Sequence, residues 1–107
     1  MTESEYNHLA DATFRKLEHA IEAAEGDFDY EFSEGGILQI EFPDGSVIVI
    51  NKQTPSREIW VAAKSGGFHF RRDNEAWRDT RSGEELFSAL SRFVSAQSGD
   101  TVTLIQS

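Results

Sequence analysis

Between residues 27 and 80 apolar and polar side chains alternate one for one, and on either side of that stretch they recur every three to four residues. A period of two belongs to strands and a period near 3.6 to helices, so the pattern predicts one helix, a run of consecutive strands and a second helix. In 27–33, Phe28, Tyr30 and Phe32 alternate with Asp27, Asp29 and Glu31; in 37–42, Leu38, Ile40 and Phe42 alternate with Ile37, Gln39 and Glu41. Asp44-Gly45 then reads as a two-residue hairpin turn of the primed type. That turn sets Phe42 opposite Val47 and Ile40 opposite Val49, leaving Ile48 and Ile50 on the face of Glu41 and Gln39. Beyond Pro55, Ile59, Val61 and Ala63 alternate with Trp60, Ala62 and Lys64, and beyond Gly66-Gly67, Phe68 and Phe70 alternate with His69 and Arg71. A short segment around Trp77 closes the sheet.

The first helix is predicted from Glu3 to Glu25. Thr2 and Glu5 make a capping box, and Gly26 stands where a left-handed C-terminal cap belongs. Tyr6, Leu9, Ala10, Thr13, Phe14, Leu17, Ala20, Ile21 and Ala24 share one arc of it. The last helix is predicted from Gly83 to Gln97, with Ser82 and Glu85 as a second capping box and Leu86, Phe87, Leu90, Phe93 and Val94 as its apolar stripe. After Gly99 the chain is extended, tucking Val102 and Leu104 against the helices. Two helices cannot cover both faces of a five- to six-stranded antiparallel sheet, so they pack on one face and leave the other to solvent. The expectation is a two-layer α+β sandwich in one domain spanning residues 1–107.

Charge narrows the function. Residues 1–34 hold ten carboxylates against Arg15 and Lys16, a balance of −8 out of a net −9 for the chain. Such a field repels phosphate backbones and attracts cations or basic protein surfaces, so nucleic acid is not an expected partner. No apolar run approaches the ~20 residues of a membrane span. The start MTESEYNHLAD has neither the basic n-region and apolar core of a signal peptide nor an Arg-rich transit pattern, so a cytoplasmic location is expected. Without cysteine there is no disulfide, thiolate nucleophile or thiolate metal site. Neither a phosphate loop nor a Gly-x-Ser-x-Gly elbow occurs, and no catalytic residue is assigned.

Asp11, Glu18, Glu22 and Glu25 fall in a narrow stripe beside the apolar arc of the first helix, and Asp27, Asp29 and Glu31 continue the row on the first strand. A run of carboxylates is ordinarily a solvated face. Here almost no base is interleaved, and the helix stripe and the strand row are expected to meet at one junction. Rows of oxygen ligands suit hard cations such as ferrous or ferric iron, manganese, calcium and magnesium, held in shallow and weak sites. His8 and His19 flank the stripe about three turns apart, so they cannot chelate one ion together. Either is a candidate single nitrogen ligand to a carboxylate-bound metal, His19 being counted with the metal set, although an exposed helix histidine is more often incidental. Trp60, opposite Ile59 and Val61, is expected on the open face, with Ile48 and Ile50 beside it and Asn51, Gln53, Lys64, His69 and Arg71 around it, unless neighbouring side chains cover it. An exposed indole with a polar rim marks an interaction surface.

The run VIVINKQTPSREIWVAAKSGGFHF, with Asn51, Gln53, Pro55, Glu58, Trp60, Gly66, Gly67, His69 and Phe70 at their spacing, resembles the signature of the frataxin family. SEYNHLADATFRKLE, DGSVIVIN and WRDTRSGEELFSAL are similar to its bacterial branch, so the resemblance covers essentially the whole chain. It implies the frataxin fold and an accessory role in iron–sulfur cluster assembly. Iron would be bound weakly on Asp11, Glu18, Glu22, Glu25, Asp27, Asp29 and Glu31, with other divalent cations able to substitute. Partners would be the cysteine desulfurase, through ridge residues such as Glu18 and Glu22, and the scaffold protein, through Asn51, Gln53 and Trp60 with His69 beside them. The family is described both as iron donor and as regulator of assembly. The alternative is an acidic docking module that regulates the desulfurase with iron incidental to it. A monomer is expected, with an iron-dependent oligomer as the variant state. Oxidation of ferrous iron by the chain itself is not expected, because nothing organises oxygen chemistry. His19 and Ala23 stand where many bacterial members carry further carboxylates, which reduces the ligand supply of this ridge.

Overall fold

The computed structural model describes residues 1–106; Ser107, where the expected domain ends, lies outside the described residues. Helix α1 spans Glu3–Ala23 and opens with the capping box, Thr2 Oγ1 accepting from the Glu5 N–H and Glu5 Oε1 from the Thr2 N–H. Its apolar arc is buried from Tyr6 to Ile21. The helix stops earlier than the pattern suggests. Ala24 is already extended (φ −77°, ψ 140°), and no left-handed cap forms at Gly26. Gly26 is small for a different reason: a β-carbon there would lie 2.6 Å from the Phe28 ring, which folds back to pack on Phe42.

Six strands follow: β1 Asp29–Ser33, β2 Ile37–Glu41, β3 Val47–Gln53, β4 Glu58–Ala63, β5 Gly66–Asp73 and β6 Ala76–Asp79. They form one antiparallel sheet in chain order. Helix α2, Leu86–Ser98, completes the fold. Both helices lie on one face, where Leu38, Ile40, Ile48, Ile50, Ile59, Val61 and Phe70 meet the buried residues of α1 and α2. Val102 and Leu104 seal the helix pair, held by the Ser95 and Ser91 hydroxyls. The two-layer sandwich expected from the periodicity is the fold observed.

Two local readings are corrected. The β2–β3 connection is a three-residue loop, Pro43-Asp44-Gly45, in which the Gly45 N–H donates to Phe42 O and the Phe42 N–H to Ser46 O. Proline suits the second position of a type I turn, Asp44 accepts from the Ser46 N–H and hydroxyl, and Gly45 takes the left-handed conformation (φ 87°). The register becomes Ile40 opposite Ile48 and Leu38 opposite Ile50, so Ile48 and Ile50 are wholly buried, and Val47, Val49 and Asn51 occupy the open face instead. A slip of one residue reverses both faces of a strand.

At the second helix, Gly83 has φ 79° and its N–H closes the turn onto Asp79 O, which bars it from a right-handed helix. Helix α2 therefore starts at Leu86, and Glu85 is its cap, accepting from the N–H groups of Phe87 and Ser88. Ser82 makes no capping box with it; its hydroxyl accepts from the Glu84 N–H.

Candidate functional site

Two surfaces answer to the sequence's candidates. The first is the acidic edge around β1. Tyr30 and Phe32 pair with Ile40 and Leu38 and turn toward α1, where Phe32 meets Phe14 edge to face. The Tyr30 hydroxyl donates to Glu22 Oε1 at 2.5 Å. That bond to a carboxylate, with desolvation and the charges of Glu22 and Glu18, pushes the phenol up to about 12. Asp29 and Glu31 alternate to the opposite side of the strand, facing Glu41 and Gln39 on β2.

The helix stripe and strand row therefore do not merge into one ridge on one face, as the sequence led us to expect. They wrap around an edge strand: Glu18 and Glu22 on the helix side, Glu25 and Asp27 in the connection, Asp29 and Glu31 on the open side. Glu41, which sequence reasoning missed, joins them opposite Asp29, a like-charge placement that opposes pairing. Only the strand register reveals it.

Asp11 stands apart, two turns up α1, bridged at 3.0 Å by Lys52 from the end of β3. His19 is exposed beside Glu18, and His8 lies far up the helix. Among the described residues no ion pair engages Glu18, Glu22, Glu25, Asp27, Asp29, Glu31 or Glu41. Nor do three or more carboxylates or imidazoles converge there into a metal cage. The donors suit a hard cation chemically, but any ion would be met by one or two carboxylates and water.

The second surface is the open face of the sheet. Trp60 is 36% exposed and stacks on His69, ring centroids 4.5 Å apart and planes 8° from parallel. Asn51 is its partner on β3, and Gln53 follows on the same face. Val49, Ala62 and Gly67 form a shallow apolar depression with the indole. Lys64, expected in this rim, instead reaches Asp44 at the hairpin tip.

The unforeseen member is Glu58. It is only 5% exposed, yet its carboxylate accepts from Trp60 Nε1–H and Arg71 Nη2, both at 2.8 Å, with His69 Nδ1 3.6 Å away. Desolvation pushes its pKa up, but the bonds from Trp60 and Arg71 outweigh it and hold the carboxyl below its ordinary value. Sequence alone places Glu58 in the strand motif without showing that it is buried.

The chain matches the frataxin-like domain family over residues 1–100. It is 56% identical to the iron-sulfur cluster assembly protein CyaY of Ralstonia nicotianae, covering 98% of this chain and 96% of that one. It is 46% identical to the protein of the same name from Dechloromonas aromatica, covering 97% and 99%. Among solved structures, frataxin from Psychromonas ingrahamii superposes with a TM-score of 0.89 at 35% identity, covering 98% of this chain and 99% of that one. Trimeric yeast frataxin complexed with ferrous iron gives 0.67 at 30% identity, covering 94% and 88%. The chain belongs to the frataxin family, on its bacterial CyaY branch.

Proposed function

We propose that this protein is an accessory factor of iron–sulfur cluster assembly that engages the cysteine desulfurase with its acidic edge and the scaffold protein with the open face around Trp60. Iron travels as weakly held cargo on the same carboxylates. The observation that carries this reading is the set of seven carboxylates Glu18, Glu22, Glu25, Asp27, Asp29, Glu31 and Glu41, which no base neutralises among the described residues, wrapped around one strand edge. Uncompensated charge of this kind costs stability and is relieved by a cation or a basic surface. The names of the bacterial relatives and the ferrous iron in the yeast structure support it. The chain performs no chemistry of its own in this reading and works as a monomer, with the trimeric yeast relatives supporting an oligomer as its alternative state.

A docking module with iron incidental is the second reading. It is favoured by the engagement of Glu22 with Tyr30 and of Asp11 with Lys52, which withdraws two ridge oxygens from any metal. Anaerobic ferrous titration followed by amide NMR tests the site. Broadening is expected over residues 18–31 and at Glu41, with α2 spared, and manganese should act alike because shallow oxygen sites select poorly. Broadening centred on His69 or α2 would overturn the acidic edge as the cation site. Asp29→Asn with Glu31→Gln then separates the two readings. Both readings predict weaker desulfurase binding; cargo predicts that the iron-dependent effect on cluster assembly stays lost when the desulfurase is raised to saturate the variant, whereas a docking module predicts that saturation restores it.

A further inference from the structure

Glu58 is a carboxylate buried on a face that is otherwise open to solvent. Taking a carboxylate out of water is costly unless its oxygens are bonded, and here they are: Oε1 by the indole N–H of Trp60, Oε2 by the Arg71 guanidinium. Its backbone is anchored as well. The buried Tyr6 hydroxyl donates to Glu58 O at 2.6 Å, tying the start of β4 to α1 through the sheet. An indole on a flat sheet would otherwise turn about its two side-chain torsions. Trp60 instead has its N–H held by Glu58 and its plane held by His69, whose stacking partner strand is set by the β4–β5 register.

The geometry points to Glu58 as the positioning residue of this face: its carboxylate locks the Trp60–His69 plate in one orientation for a protein partner, while burial keeps Glu58 itself out of the partner's reach. The identity of that partner rests on the proposed role of the open face in binding the scaffold protein; the locking of the indole does not.

Glu58→Ala tests it without exposing a new defect, since the Arg71 and His69 side chains it releases are 66% and 50% exposed. In the free protein the Trp60 indole N–H resonance should shift and exchange faster with solvent, while that of Trp77, bonded to Thr13, stays in place. Scaffold affinity should fall about tenfold, the worth of one hydrogen bond to a charged group. In a Trp60→Phe background the same substitution should change affinity by less than about twofold, because the group it positions is gone. Glu58→Gln, which keeps an oxygen for the indole, should restore most of the loss. An unmoved Trp60 resonance, or an equal loss with and without the indole, would overturn the positioning role. Scaffold binding that is unaffected by Trp60→Phe would instead overturn the reading of the open face, and the indole resonance would still decide what Glu58 does.

Discussion

The two tryptophans sit on opposite faces of one sheet, and each donates its indole N–H at 2.8 Å. Trp77 gives its proton to the Thr13 hydroxyl, which passes its own to Leu9 O, and Tyr6 stands edge-on to its ring. Trp60 gives its proton to Glu58 and lies flat on His69. Trp77 is 3% exposed and Trp60 36%. The bonds are equal in length, but acceptor and burial separate them: on the covered face a neutral hydroxyl makes the indole tolerable to bury, and on the open face a carboxylate keeps the indole still. The pairing shows that polar satisfaction serves stability on one side of the sheet and presentation on the other.

The sharpest way to break that contrast is truncation. Trp77→Ala should cost about 3–5 kcal/mol and Trp60→Ala about 1–2 kcal/mol, chiefly its bond to Glu58, read from urea unfolding. Similar costs would mean that the faces do not differ in kind. A smaller effect tests the tie through the sheet. Tyr6→Phe removes the buried hydroxyl that donates to the Glu58 carbonyl and should cost about 1–2 kcal/mol in the same measurement, with iron broadening at the acidic edge unchanged.

The acidic edge supplies a third region, where among the described residues no base pairs with the carboxylates and Glu22 is held by the Tyr30 hydroxyl. Glu18→Gln, which leaves the Glu22–Tyr30 bond in place, should raise stability by a few tenths of a kcal/mol, because like charges at helical spacing repel. The melting temperature should rise by about 2 °C and respond less to added salt than in the wild type, since salt screens exposed charges over roughly 10 Å at 0.1 M. A variant no more stable than wild type would show that the charges cost nothing where they stand.

The smallest effect is a titration. The Glu22 carboxylate pushes Tyr30 up to about 12, and burial does the same to Tyr6. A phenol raised in the folded state contributes stability that is intact below its ordinary value near 10 and lost as pH climbs through about 12. Ultraviolet titration of phenolate should show Glu22→Gln lowering one of the two tyrosine midpoints and leaving that of Tyr6 high.

Much of this was legible beforehand. Periodicity alone separates helix from strand, so the order of elements, the apolar arcs of α1 and α2, and the exposed placement of Trp60 follow from residue spacing. The carboxylate excess needs only counting. Pairing is what spacing cannot give. Asp44-Gly45 allows both a two-residue and a three-residue loop, and only the conformation of Pro43 and Gly45 in the folded chain decides between them; with that choice Ile48 and Ile50 pass from the open face into the core. The helix ends depart from the pattern for a related reason, since Gly26 answers to the approach of Phe28 and Gly83 to the turn after β6.

The site divides in the same way. Its residue types and net charge are local properties, carried by the sequence itself. Whether Asp29 faces Glu22 or Glu41, and whether Glu58 is wet or buried, depends on which strands lie alongside, and those contacts join residues far apart in the chain through a register that a single inserted residue reverses.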